Sequence, residues 1–122
     1  MAKILIAEDE EALRSQVARA LVAEGHAVKV APDGAEALEA LGREPFDLLL
    51  ADIKMPVMDG IALALTAARD FPDVMILLMT GFAAQRERAS NLNAIVHDVI
   101  TKPFAVGDIR TAVANALAAR KG

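Results

Sequence analysis

Residues 48–60 read LLLADIKMPVMDG, and this stretch decides the fold of the chain. Its first four residues are apolar without polar alternation, which is typical of a short parallel strand covered on both faces of a sheet. The run ends at Asp52, so a carboxylate follows the predicted strand directly. Asp59 and Gly60 then indicate a turn or a helix cap rather than a ligand, and an apolar stripe at helical spacing follows them. The stretch therefore predicts one strand-loop-helix unit of an α/β fold.

Further apolar runs occur on either side of this stretch. Together the predicted strands cover residues 4–7, 27–31, 48–51, 74–79 and 95–100. A segment with helical periodicity follows each strand, and the fourth, at residues 84–93, is weakly amphipathic and rich in charge. Asp108 near the start of the last helix and Arg120 and Lys121 near its end complement the helix dipole. Right-handed connections between such β-α units predict a doubly wound α/β domain, with helices on both faces of one five-stranded parallel sheet.

Length and composition narrow the class of protein. A chain of 122 residues fits one domain, residues 1–122, and 55% hydrophobic residues suffice for a sizeable core. The absence of cysteine excludes disulfides and thiolate metal sites, which suits a cytoplasmic protein. The net charge of −4, without a cluster of Lys or Arg, argues against nucleic acid as a direct partner.

The ends of the chain and its hydropathy argue against a membrane protein. No apolar run reaches the roughly 18 residues of a membrane span, and the N-terminus does not read as a signal peptide. Because the chain starts at Met1 and ends in the basic, fraying residues 120–122, we expect a complete single-domain protein rather than a fragment.

Doubly wound sheets bind ligands at the carboxyl ends of their strands. The polar residues that follow the predicted strands are Glu8 and Asp9 after the first, Asp52 after the third, Thr80 after the fourth and Lys102 after the fifth. Carboxylates gathered in this way repel each other, and burial increases the cost. Oxygen ligands without His or Cys nearby favour Mg²⁺ over zinc as the ion that relieves this repulsion.

The same residues suit phosphoryl chemistry. Asp52 ends the strand that looks most buried and is the best candidate for a carboxylate nucleophile that forms an aspartyl phosphate. Lys102 supplies a point charge for the phosphoryl group, and Thr80 can donate a hydrogen bond to it. Each residue also has a structural interpretation, since Asp9 could be a helix cap and Thr80 simply a loop residue. All of them follow the strands of one sheet, and this shared position favours a functional site.

The sequence also resembles a known family. The residues that carry the resemblance are 4–10, 52–60, 79–81 and 101–104. Over essentially its whole length the chain is similar to the receiver domains of bacterial response regulators. That resemblance implies a flavodoxin-like (βα)5 fold with strand order 2-1-3-4-5. It also implies a phosphoacceptor that is not an enzyme, apart from self-catalysed phosphotransfer and autodephosphorylation.

The resemblance implies a role for each site residue. Asp52 would accept the phosphoryl group from a histidine kinase or a histidine phosphotransfer protein. Mg²⁺ would be held by Asp9, Asp52 and the backbone carbonyl of Lys54, with assistance from Glu8. Lys102 would contact the phosphoryl group from a loop that begins with a cis bond to a proline, and Thr80 would be the switch hydroxyl.

Two positions depart from the family pattern, and both bear on the site or its output. Glu8 stands where aspartate is common, and Val99 stands where the family has an aromatic ring in the fifth strand. Without a ring, the usual coupling of the threonine to an inward-swinging aromatic side chain cannot operate. We therefore expect the output surface to lie on the fourth helix, the fifth strand and the fifth helix, near Phe82, Arg86, Arg88, His97 and Val99.

A closer resemblance is to the single-domain cell-cycle receivers of alphaproteobacteria, the CpdR type. Residues 61–65, 79–83 and 95–100 carry it. It implies an adaptor that primes the ClpXP protease when it is not phosphorylated. A phosphorelay shuttle without its own output is an open alternative. A phosphatase that uses Asp52 is disfavoured, because Lys54 stands where such an enzyme needs a second aspartate and no cap domain is present.

Overall fold

The computed structural model describes residues 1–121 and contains one parallel sheet. Its strands are β1 (Lys3–Ala7), β2 (Ala27–Ala31), β3 (Leu48–Asp52), β4 (Met75–Thr80) and β5 (Asp98–Thr101). They are arranged in the order β2-β1-β3-β4-β5, and every neighbouring pair is parallel. The predicted doubly wound fold and its strand order 2-1-3-4-5 are confirmed.

A helix follows each strand. The helices are α1 (Glu11–Ala23), α2 (Gly34–Arg43), α3 (Gly60–Asp70), α4 (Ala83–Ser90) and α5 (Val106–Lys121). Fraying was expected at residues 120–122, but Arg120 lies within α5 and donates hydrogen bonds to Asp73 O and Asp47 Oδ1. Gly122 and the side chain of Lys121 lie outside the described residues. Asp59 caps the N-terminus of α3 by accepting a hydrogen bond from Ala62 N at 2.8 Å. Its interpretation as a cap is therefore confirmed.

The core consists of two layers on opposite faces of the sheet. Because side chains alternate along a strand, Leu48 and Leu50 of β3 pack towards α1 and α5, whereas Leu49 and Ala51 pack towards α2, α3 and α4. All of β3 is buried, including Asp52 at its end. The strand that was predicted to be the most buried is thus the central one, and it carries a carboxylate into the covered part of the sheet.

The edge strands differ from the prediction. We expected most strands to be covered on both faces, but β2 is largely exposed, and Val30 retains 51% of its accessible surface. The physical reason is its position at the edge of the sheet. The fifth strand was predicted at residues 95–100, yet β5 begins at Asp98. Ile95 lies in a turn, and Val96 is buried from a loop, so the apolar run continues beyond the strand itself.

Other boundaries shift by a few residues. The fourth helix, predicted at residues 84–93, ends at Ser90. Asp52 and Thr80 were expected to follow their strands, and each is instead the last residue of its strand. His97, which was assigned to the fifth strand, lies in the bend just before β5.

Candidate functional site

Lys102 connects two buried carboxylates at the carboxyl edge of the sheet. Its Nζ lies 2.9 Å from Glu8 Oε1 and 3.0 Å from Asp52 Oδ2. Glu8 is fully buried and Asp52 is 5% exposed. The backbone N–H of Lys102 donates to the carbonyl of Thr80 at 2.8 Å, which holds the loop after β5 against the end of β4. The Lys102-Pro103 bond is cis, as the family resemblance implied.

Both the side-chain carboxylate and the backbone carbonyl of Glu8 are held by hydrogen bonds. Its carboxylate Oε2 accepts a hydrogen bond from Glu10 N at 3.1 Å, and its backbone carbonyl accepts one from Arg14 Nη1 at 2.9 Å. The turn after β1 and the first part of α1 therefore hold the side chain in place. Since its other oxygen binds Lys102, Glu8 has partners for both carboxylate oxygens despite complete burial.

Burial and charge act against each other in this cluster. Burial raises the pKa of Glu8 to about 7, and the nearby Asp52 carboxylate adds to this, although the hydrogen bonds from Lys102 and Glu10 oppose it. Burial alone would lower the pKa of Lys102, but its hydrogen bonds to Glu8 and Asp52 outweigh that effect and raise it. Lys102 is therefore a permanent cation, whereas the charge on Glu8 is costly.

The three predicted carboxylates lie close enough to share a cation. Glu8, Asp9 and Asp52 each offer a ligand oxygen, and these atoms lie within 4.8 Å of one another. Asp9 is exposed, so the cluster opens to solvent on its side. An all-oxygen set with one open side fits Mg²⁺, which keeps some of its waters and binds phosphate oxygens. The role of the Lys54 carbonyl as a further ligand stays a prediction.

Thr80 is buried beside this cluster and its hydroxyl already has partners. It follows Met79, which pairs with Asp52 across the β3–β4 ladder. Its Oγ1 accepts a hydrogen bond from Phe82 N at 3.1 Å and donates one to Gln85 Oε1 at 2.8 Å. Gln85 was not predicted as a site residue, because a glutamine five residues after a threonine carries no signal in the sequence until the strand-to-helix turn is known.

Three of the five residues expected on the output surface lie where α4 meets β5, and the other two lie elsewhere. Arg86 Nη1 donates to Val99 O at 2.9 Å and to Thr101 Oγ1 at 2.6 Å, which ties α4 to β5. Arg86, His97 and Val99 border a groove of about 260 Å³ between these elements. Val99 is half-buried and packs against the core, whereas His97 is exposed.

The remaining two expected output residues lie outside that groove. Phe82 is 53% exposed, and Lys54 Nζ lies 5.0 Å above the centre of its ring. Arg88 is exposed on α4. Neither His97 nor His26 belongs to the carboxylate cluster, and His26 Nδ1 accepts a hydrogen bond from Ala2 N at 3.1 Å. The contact of His26 is a structural one.

None of the helices in the described residues 1–121 combines the length and the apolar character that a membrane crossing requires.

Comparison with known proteins identifies the class. The sequence profile of the response regulator receiver domain matches residues 4–114. The chain therefore belongs to the response-regulator receiver family, whose members are phosphoacceptors. The response regulator receiver protein CpdR of Brucella abortus (strain 2308) is 42% identical to it over 109 residues, which cover 89% of this chain and 91% of that protein.

Other relatives are longer. The response regulator MprA of Mycobacterium leprae (strain TN) is 35% identical over 107 residues, and the matched region spans 47% of its length. Among solved structures, a CheY-like receiver domain protein of Methanospirillum hungatei JF-1 superposes with a TM-score of 0.92 at 30% identity, covering 99% of this chain and 97% of that chain. The response regulator TrrA of Thermotoga maritima, solved in complex with Mg²⁺ and BeF, superposes with a TM-score of 0.86 at 27% identity, covering 95% and 99%.

Proposed function

We propose that this protein is a phosphorylation switch in which Asp52 accepts a phosphoryl group from a phosphohistidine of a kinase or phosphotransfer protein. The observation that carries the proposal is the Lys102 ammonium held 2.9 Å from Glu8 and 3.0 Å from Asp52 at the carboxyl edge of the sheet. A cation bound to the nucleophile in this way can transfer its hydrogen bond to an incoming phosphoryl oxygen.

The reaction transfers the phosphoryl group from a donor imidazole to Asp52. A carboxylate oxygen of Asp52 attacks phosphorus, the new P–O bond forms, and the P–N bond to the donor imidazole breaks, with the electron pair returning to the ring nitrogen. Lys102 then neutralises charge on the phosphoryl oxygens, and the hydroxyl of Thr80 can donate a hydrogen bond to one of them. Glu8, Asp9 and Asp52 would hold Mg²⁺, with the Lys54 carbonyl as a further ligand. When bound, the ion neutralises charge on the carboxylates and on the phosphoryl group.

Asp52→Asn tests the assignment. With acetyl phosphate and Mg²⁺, the wild-type protein should gain one phosphoryl group by intact-protein mass spectrometry, and Asp52→Asn should gain none. Asp59→Asn is the matched control, because asparagine still caps α3 and the residue lies outside the carboxylate cluster. Equal phosphorylation of wild type and Asp52→Asn would refute Asp52 as the acceptor.

The proposed output is a change in protein–protein contact rather than nucleic-acid binding. We assign it to α4, β5 and α5, with Phe82, Arg86, Arg88 and His97 exposed on or near these elements. Similarity to CpdR over 91% of that protein supports a single-domain regulator of the same type, acting as an adaptor for ClpXP while unphosphorylated. Co-purification of ClpX with wild type and Asp52→Ala, but not with phosphorylated wild type, is the expected result.

One observation favours the phosphorelay shuttle as a second candidate. Val99 occupies the position where a ring would report the switch, and it packs against the core as an aliphatic side chain. A shuttle needs no such report. The two functions differ in the lifetime of the phosphoryl group and in whether a phosphorylation-dependent partner exists, so the same co-purification experiment separates them.

A further inference from the structure

The hydroxyl proton of Thr80 is already used in the unphosphorylated protein. Thr80 is 1% exposed, so water does not compete for this proton. Its Oγ1 accepts the N–H of Phe82 and donates to Gln85 Oε1 at 2.8 Å. The contact from Oγ1 to the carbonyl of Phe82 is 3.5 Å and much weaker. A hydroxyl has one proton, and therefore donation to a phosphoryl oxygen requires the bond to Gln85 to break.

Gln85 lies in the first turn of α4, which is weakly packed. Ala89 is the buried residue of this eight-residue helix. Two adjacent polar side chains hold the helix against the sheet: Gln85 binds the end of β4 through Thr80, and Arg86 binds β5 through Val99 O and Thr101 Oγ1. Each bond is therefore a substantial part of what fixes the position of α4, because apolar burial contributes little.

We propose that Gln85 is the positioning residue that couples phosphorylation to α4, by competing with the phosphoryl group for the hydroxyl proton of Thr80. The inference rests on the proposed role of Asp52. In the unphosphorylated protein the Thr80 hydroxyl donates its hydrogen bond to Gln85, and this bond ties α4 to the end of β4. When a phosphoryl oxygen accepts the hydrogen bond from the Thr80 hydroxyl, α4 loses its connection to β4. It keeps the connection that Arg86 makes to β5. This polar exchange connects the site to α4 without an aromatic ring at Val99.

The competition makes a quantitative prediction for binding of beryllofluoride, used with Mg²⁺ as the phosphoryl analogue. Gln85→Met keeps the length of the side chain but removes the acceptor. It should bind beryllofluoride about threefold to tenfold more tightly than wild type, which is the contribution of one neutral hydrogen bond. Gln85→Glu offers a charged acceptor, which forms a stronger hydrogen bond, and should bind more weakly than wild type. Glu87→Met, on the exposed side of the same helix, should be unchanged.

A double-mutant cycle separates this mechanism from a general change in the helix. In Thr80→Val the hydroxyl is absent, so adding Gln85→Met should leave the affinity of Thr80→Val unchanged. Amide NMR supplies the second readout. In Gln85→Met without ligand, the resonances of residues 83–90 should already be shifted towards their positions in beryllofluoride-bound wild type.

The outcomes are distinct. An unchanged affinity in Gln85→Met, or the same gain in the Thr80→Val background, would overturn the role of Gln85 while leaving phosphorylation of Asp52 intact. Failure of the wild-type protein itself to bind beryllofluoride with Mg²⁺ would refute the proposed function and this inference together. Retention of the wild-type pattern of amide resonances outside residues 80–90 in each variant shows that the fold is preserved.

Discussion

Lys102 lies between two carboxylates that the fold buries. Burying these negative charges costs less free energy while the positive charge of Lys102 stays beside them. Glu8 is fully buried and Asp52 nearly so, and each accepts a hydrogen bond from Lys102 Nζ. Removal of one partner from a buried ion pair leaves an uncompensated charge, which is more costly than loss of an exposed pair. The site therefore depends on a local balance of charges that phosphorylation or a bound cation would alter.

Lys102→Met should make this dependence measurable. Methionine keeps the apolar stem, so the loss concerns the charge, and we expect the free energy of unfolding to fall by about 1–3 kcal/mol at pH 7.5 in chelator. Mg²⁺ should recover part of the loss, because it can neutralise the same carboxylates. The matched control is Lys29→Met, whose exposed ammonium lies 3.8 Å from Glu44. Its effect should stay below about 0.5 kcal/mol in the same urea denaturation experiment. Similar losses in both variants would contradict the role of Lys102.

The raised pKa of Glu8 predicts how stability depends on pH without divalent cations. Burial raises this pKa from 4.5 to about 7, so the folded state holds a proton that the unfolded state has released. The stabilisation is complete below pH 4.5 and is lost as the pH rises through about 7. Between pH 5 and pH 7.5 we expect a loss on the order of 2 kcal/mol that Glu8→Gln does not show. Glu36→Gln, on the exposed face of α2, should show the wild-type loss.

The contrast between predicted and missed residues has a physical cause. Glu8, Asp52 and Lys102 could be assigned from the sequence, because the carboxyl ends of parallel strands share one edge of the sheet. The contacts of Gln85 and Arg86 could not be predicted from the sequence in this way. Their partners depend on how α4 turns away from β4, and a helix with one buried residue has no apolar stripe from which its orientation can be read.

At the level of elements, the start of α3 determines the geometry behind Asp52. Gly60 opens that helix, and a Cβ there would lie 2.3 Å from the carbonyl oxygen of Asp52. The helix can approach the end of β3 so closely only because the residue is glycine. The sequence predicted a cap at Asp59, but it could not show that the next residue touches the strand that carries the candidate phosphoacceptor.

Two glycine substitutions should therefore have opposite effects. Gly60→Ala should lower the free energy of unfolding by about 2 kcal/mol or more, because helix α3 must move away from β3. It should also reduce the rate of phosphorylation by displacing Asp52. Gly42→Ala, near the end of α2, meets no atom within 4 Å and should stabilise the protein by about 0.5 kcal/mol. Thermal or urea denaturation decides both signs, and a neutral Gly60→Ala would show that the contact is not restrictive.

The fifth strand shows that an apolar run in the sequence predicts burial better than it predicts where a strand begins. Residues 95–100 were predicted as one strand, yet Ile95 and Val96 face the core from a turn and a loop. The apolar residues are buried or half-buried as expected, but no period distinguishes a buried strand from a buried loop over such a short run. Burial was therefore predictable, whereas the residue at which pairing with β4 begins, Asp98, was not.

In the molecule as a whole, the site connects to the proposed output surface through α4. Thr80 ends β4, Phe82 precedes α4 and Gln85 lies in its first turn, and the hydroxyl of Thr80 connects the three residues. Helices α1 and α5 pack on the opposite face of the sheet from α4. A change in the position of α4 should therefore leave the core layer between the sheet and helices α1 and α5 unchanged.

Phe82→Ala tests whether this region is the output. Alanine keeps the backbone N–H that binds Thr80, so phosphorylation by acetyl phosphate should proceed at a near wild-type rate. The variant loses a ring that is 53% exposed, and an aromatic anchor of an interface contributes about 2 kcal/mol or more, roughly thirtyfold in affinity. Partner proteins that co-purify with wild type should therefore be lost. Val22→Ala, which removes an exposed apolar side chain from α1, should retain them. If Phe82→Ala instead kept its partners and lost phosphorylation, Phe82 would belong to the phosphorylation site rather than to the output surface.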